Sequence, residues 1–92
     1  MKHRVVVTGI GAITPLGNNV DTFWENIKKG KNGIKKISRF DVEIFETRIA
    51  AQVENFIPEN FMDKKEAKRM DRYTQFAVAA AHMAVEQAEL NL

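Results

Sequence analysis

Three consecutive valines, Val5-Val6-Val7, set between Arg4 and Thr8, constrain this chain more than any other feature. β-Branched side chains favour extended backbone, and the run has no polar alternation. Residues 4–8 therefore predict a strand buried on both faces, of the kind found in parallel or mixed sheets covered by helices. Gly9-Ile10-Gly11-Ala12-Ile13-Thr14-Pro15-Leu16-Gly17 follows as a loop punctuated by glycine and proline. Gly9 and Gly11 permit close approach of backbone to a neighbour. Pro15 pushes the chain out of any helix that would begin there.

Residues 20–29 read as a helix, because Val20, Phe23, Trp24 and Ile27 form one apolar stripe. Asn19 or Asp21 suits its start, Lys28 and Lys29 suit the negative end of its dipole, and Gly30 suits the position just past it. Asn32-Gly33 signals a turn. Residues 34–48 look irregular, a surface-running segment anchored by Ile34, Ile37 and Phe40. Ile49-Ala50-Ala51-Gln52-Val53 reads as a second short strand, and Pro58 falls in the loop after it. Asp63-Lys64-Lys65-Glu66 has the form of a capping box, predicting a short helix to about Met70. Asp71 is placed to cap a longer helix from Arg72 to about Leu90. Its many alanines leave little bulk and allow close packing against a sheet or another helix.

The order strand, helix, strand, helix, helix is α/β, and it looks unfinished. A strand buried on both faces needs neighbours, and two strands do not make a covered sheet. At 92 residues the chain holds one small domain at most. An apolar fraction of 45% with 28% charged residues excludes a disordered chain. The absence of cysteine excludes a disulfide framework, thiolate metal sites and cysteine nucleophiles. The valine run is too short for a signal peptide, and no apolar run approaches the ~18 residues of a membrane span, so the expected compartment is the cytoplasm, with no membrane partner.

Motifs for small-molecule chemistry fall away one by one. Gly9-x-Gly11 lacks the third glycine of a dinucleotide fingerprint, since Thr14 stands there and Pro15 follows. No phosphate-binding Gly-x-x-x-x-Gly-Lys-Ser/Thr occurs. His82 has only Glu86 at helical spacing, which suits a hydrogen bond along one helix face rather than a metal site. His3 lies near the terminus. Ser38, the sole serine, has no histidine near it in sequence, so no triad is supported. No catalytic residue, cofactor or metal is therefore assigned.

Two basic clusters remain. Lys28, Lys29, Lys31, Lys35, Lys36 and Arg39 lie partly in a loop and read as solvated surface. Lys64, Lys65, Lys68, Arg69 and Arg72 would fall within one arc of about 140° on a continuous helix, with Glu66 and Asp71 outside it. Such a face is either a solvated surface or a docking site for an acidic helix, a phosphate group or a nucleic-acid backbone. The net charge of only +2 and the lack of interleaved aromatics weigh against nucleic acid.

Taken in order, Arg4-Val-Val-Val-Thr-Gly-Ile-Gly-Ala-Ile-Thr-Pro-Leu-Gly17 resembles the opening of the β-ketoacyl-[acyl-carrier-protein] synthases. Phe23-Trp24, Gly30-Lys-Asn-Gly33-Ile34, Phe40-Asp41, Ile49-Ala50, the basic Lys65–Arg72 segment and Gln75-Phe76-Ala77 follow in that family's order. The resemblance implies a thiolase-like fold, two duplicated halves in α-β-α-β-α layers, with residues 1–92 forming the N-terminal part of the first half and no second domain present. It implies an acyltransferase of fatty-acid elongation, homodimeric when complete, in which an acylated cysteine is attacked by the carbanion of decarboxylated malonyl-carrier. Two histidines assist that step. The cysteine is absent here, and His3 and His82 do not match the catalytic histidine motifs, so this chain alone is expected to be inactive. What the resemblance does carry over is Lys65, Lys68 and Arg69, at positions that contact the acidic recognition helix of acyl carrier protein. Lys64 and Arg72 extend the same face. A truncated carrier-docking module or a non-functional remnant is the alternative expectation.

Overall fold

Asn19 settles where the first helix begins. Its backbone is extended, and its side-chain oxygen accepts the Thr22 N–H at 2.8 Å, satisfying one of the orphan donors of α1 (Val20–Lys28). The computed structural model describes residues 2–91, and the chain divides into two compact units, residues 13–56 and residues 1–12 with 57–92.

In the first unit, Thr14 and Gly17 close a tight turn around Pro15-Leu16 through paired backbone hydrogen bonds. Asn26 on α1 donates its side-chain amide to the Leu16 carbonyl and so ties the turn to the helix. Gly30 takes φ +70 just past the helix, where a side chain would be strained. The chain then forms β1 (Ile34–Lys36), which pairs antiparallel with β2 (Ile49–Ala51) in the register Ile34 with Ala51 and Lys36 with Ile49. The second of these strands was expected and the first was not. Ile34-Lys35-Lys36 is too short and too polar to announce a strand, and the pairing with β2 makes it one. Arg48 folds the intervening loop, donating to the Phe45 and Glu43 carbonyls at 3.0 Å each. Val42, within that loop, is buried.

In the second unit, a turn of 3-10 helix (Pro58–Asn60) leads into α2 (Lys64–Lys68) and then α3 (Arg72–Ala88). Asp63 and Asp71 occupy the expected N-cap positions with extended backbone, yet neither side chain makes a capping hydrogen bond. The Asp63 side chain lies at an exposed position, and its backbone carbonyl instead accepts the Ala67 N–H at 2.9 Å. The capping box read from the sequence is therefore not formed. α3 ends two residues earlier than expected. Glu89 turns into the left-handed region at φ 56, and Leu90 N–H reaches back to the Val85 carbonyl at 3.2 Å.

The Val5–Val7 segment corrects the sequence reading most sharply. Among the described residues it has no ladder partner, and Val5 and Val7 are 91% and 82% exposed. Strand formation requires a second strand, and high β-propensity supplies only the readiness to pair. What does form is close packing onto α3. Ile10 N–H donates to the Gln87 side-chain oxygen at 2.8 Å. Gly9 and Gly11 lie directly against the Ala84 and Ala80 carbonyls. Ala79 and Ala67 are the fully buried residues of this unit among those described.

Candidate functional site

Titratable groups are the natural place to look for chemistry, and here they are dispersed. Among the described residues, no three acidic or histidine side chains lie close enough to share a metal ion. His82 behaves as its spacing predicts, with Nδ1 3.5 Å from Glu86 Oε2 one turn along α3. The Phe61 ring stands edge-on to it at 5.9 Å. Ser38 N–H donates to the Gln52 side-chain oxygen at 3.4 Å, its hydroxyl oxygen accepts from the Gln52 amide at 3.5 Å, and no base faces that hydroxyl among the described residues.

Among the described residues, each unit has a hollow. The first, of about 420 Å³, is lined by polar groups including Asn18, Asn26, Lys31 and Glu54. Asn18 donates to the Glu54 carbonyl at 2.7 Å, while its own side-chain oxygen is buried without a partner. The second is an open apolar hollow of about 650 Å³ along α3, formed by Val78, Ala81 and Val85 and flanked by His82 and Glu86. Neither holds a nucleophile beside a base, which acyl transfer would need.

The basic clusters differ in a way that sequence could not show. In the first, Lys28 pairs with Glu25 at 2.7 Å, Lys35 with Glu54 at 3.7 Å and Lys36 with Glu43 at 3.8 Å. Such exposed pairs are weak, but they partly neutralise that surface. In the second, Lys64, Lys65, Lys68 and Arg69 are all exposed, and among the described residues none has a carboxylate within ion-pair reach. The face is uncompensated positive charge. The five charges do not share one arc, because the helix breaks where Asp71 predicted. α2 stops at Lys68, Arg69 is its C-cap, and Arg72 opens a separate helix. Arg72 Cζ sits 4.9 Å over the Phe76 ring, a cation–π contact within α3. Lys64, Lys65, Lys68 and Arg69 thus form the exposed group, and Arg72 stands apart from it.

A helix of five residues does not persist in water by its own hydrogen bonds. α2 packs on the Pro58–Asn60 turn, and two further anchors hold it. Ala67 faces inward at 5% exposure, and the Gln75 side-chain amide on α3 donates to the Ala67 carbonyl at 2.9 Å. Sequence reasoning gave Gln75 no role, because no short-range pattern marks a contact across the break between two helices.

Residues 2–92 match the model of the β-ketoacyl synthase N-terminal domain, and the chain belongs to that family. It is 53% identical over 91 residues to 3-oxoacyl-[acyl-carrier-protein] synthase 2 of Staphylococcus aureus, strain COL, covering 99% of this chain and 22% of that protein. The protein of the same name from Synechocystis is 48% identical over 97% of this chain and 21% of its own length. Among solved structures, the ishigamide ketosynthase/chain length factor matches with a TM-score of 0.83 at 37% identity, over 94% of this chain and 21% of that one. A β-ketoacyl synthase from Burkholderia phymatum STM815 matches with a TM-score of 0.74 at 29% identity, over the same shares. The chain therefore spans about a fifth of the length of the relatives it matches. No helix among the described residues is long and apolar enough to cross a membrane.

Proposed function

We propose that this chain is the N-terminal part of the first thiolase-like half of a β-ketoacyl-carrier synthase, in α-β-α-β-α layers, and that its own contribution is to dock acyl carrier protein through Lys65, Lys68 and Arg69. The complete protein is a cytoplasmic homodimer that elongates fatty acids. Its cysteine thiolate takes the acyl group from one carrier and releases that carrier's thiol. Malonyl-carrier loses carbon dioxide, the resulting carbanion forms a C–C bond to the acyl carbonyl, and the cysteine thiolate departs. None of the atoms that break or form bonds in that sequence belongs to residues 1–92.

The observation that carries this reading is the exposed, unpaired basic turn in a chain whose relatives are named for carrier-dependent synthesis. Exposure of Val5, Val7 and Ile10 supports the layered, incomplete architecture. Their exposed apolar surface suits a strand that pairs with segments beyond this chain. The test is condensation by the complete protein. Given acyl-carrier and malonyl-carrier, it should release a 3-oxoacyl-carrier two carbons longer, read by mass spectrometry. A complete protein that binds both carriers and forms no such product would refute the reading.

A further inference from the structure

We infer that Gln75 is a positioning residue for carrier docking, holding the basic turn of α2 in its binding geometry from α3. This rests on the docking reading above and adds to it the element that presents the charges. Lys65 and Lys68 sit on a single helical turn, and Arg69 caps it. The helical carbonyls at the end of such a turn need partners. The Ala67 carbonyl receives Met70 N–H at 3.2 Å from its own segment and Gln75 Nε2 at 2.9 Å from α3. The Gln75 bond spans the helix break and ties α2 to the body of α3.

The geometry has a direct electrostatic consequence. Attraction between exposed charges falls off over about a Debye length, and flexible side chains lose entropy when fixed, so a docking face works best when its backbone is already ordered. Without the Gln75 bond, α2 keeps its buried Ala67 and its packing on the Pro58–Asn60 turn but loses its tie to α3. Lys65, Lys68 and Arg69 would then sample many arrangements, and a carrier would have to order them as it bound.

The experiment uses the complete protein and malonyl-acyl carrier protein. Gln75→Met keeps the side-chain volume and removes the donor; Gln75→Glu keeps shape and polarity and removes it in a second way. Both are expected to raise the Kd for the carrier roughly three- to tenfold. Both should speed amide hydrogen exchange in residues 64–70 while the middle of α3 stays protected. In a K65E/K68E/R69E background, neither Gln75 variant should weaken binding further. Global destabilisation would instead act in both backgrounds and would speed exchange throughout α3, and that pattern would overturn the inference. So would unchanged affinity in both Gln75 variants alongside weakened binding by K65E/K68E/R69E. If K65E/K68E/R69E leaves affinity unchanged, the docking reading fails, and a positioning role for docking fails with it.

Discussion

Gly11→Ala is expected to unfold the second unit or to lower its stability by about 3 kcal/mol, the upper end of the usual overpacking cost. A Cβ at Gly11 would overlap the Ala80 carbonyl oxygen and stand 2.9 Å from Met83 Cβ. The first obstacle is helix backbone, which cannot swing aside as a flexible side chain can. The N-terminal segment would have to lift off α3 and give up the Ile10 to Gln87 hydrogen bond with it. Against this stands the gain from stiffening the unfolded chain, about 0.4–1 kcal/mol for a glycine replaced by alanine. Steric cost therefore wins. Gly9→Ala should behave alike, because its Cβ would overlap the Ala84 carbonyl and stand 3.0 Å from Ala88 Cβ. Gly30→Ala is the contrasting control. Nothing lies within 4 Å of its Cβ, so its cost comes from the positive φ alone, about 1 kcal/mol. Urea denaturation of the complete protein and its variants reads the differences as shifts in midpoint. A Gly11→Ala midpoint equal to that of the parent would show that the segment does not pack on α3.

Reversing Lys65, Lys68 and Arg69 to glutamate should weaken carrier binding by roughly 30- to 100-fold, about 2–3 kcal/mol. Each exposed pair with an acidic carrier is worth about 0.2–1 kcal/mol, and reversal adds repulsion where there was attraction. Because these residues have no intramolecular ion pair among those described, the fold should not register their loss. Parent affinity should fall steeply with added salt, and the variant should lose most of that dependence. Reversal of Lys28, Lys35 and Lys36 serves as the matched comparison. Their charges are already paired with Glu25, Glu54 and Glu43, so a change under threefold is expected. Equal effects from both triples would mean that only bulk charge matters and that the α2 turn is no specific surface.

Local patterning carried the helices well. The Val20-Phe23-Trp24-Ile27 stripe marks a helix that the structure forms, and of the two cap candidates, Asn19 and Asp21, the structure uses Asn19. The break between α2 and α3 was also visible, with Asp71 at the start of the second helix. Pairing was much harder to see. Val5–Val7 has every local mark of a buried strand and no partner among the described residues, while Ile34-Lys35-Lys36 has few such marks and pairs with β2. A strand is completed by atoms distant in sequence, so propensity alone ranks such segments poorly. The basic residues of the candidate site were legible as types and positions. Their freedom from ion pairs, the separate engagement of Arg72 with Phe76 and the Gln75 tether are tertiary facts with no short-range signature.

The division between docking and chemistry is tested most directly by incubating the 92-residue chain with acyl-carrier and malonyl-carrier and weighing both protein and products. With no cysteine to acylate, the chain should keep its intact mass and yield no 3-oxoacyl-carrier. An acyl adduct on the chain, or a product lengthened by two carbons, would contradict it.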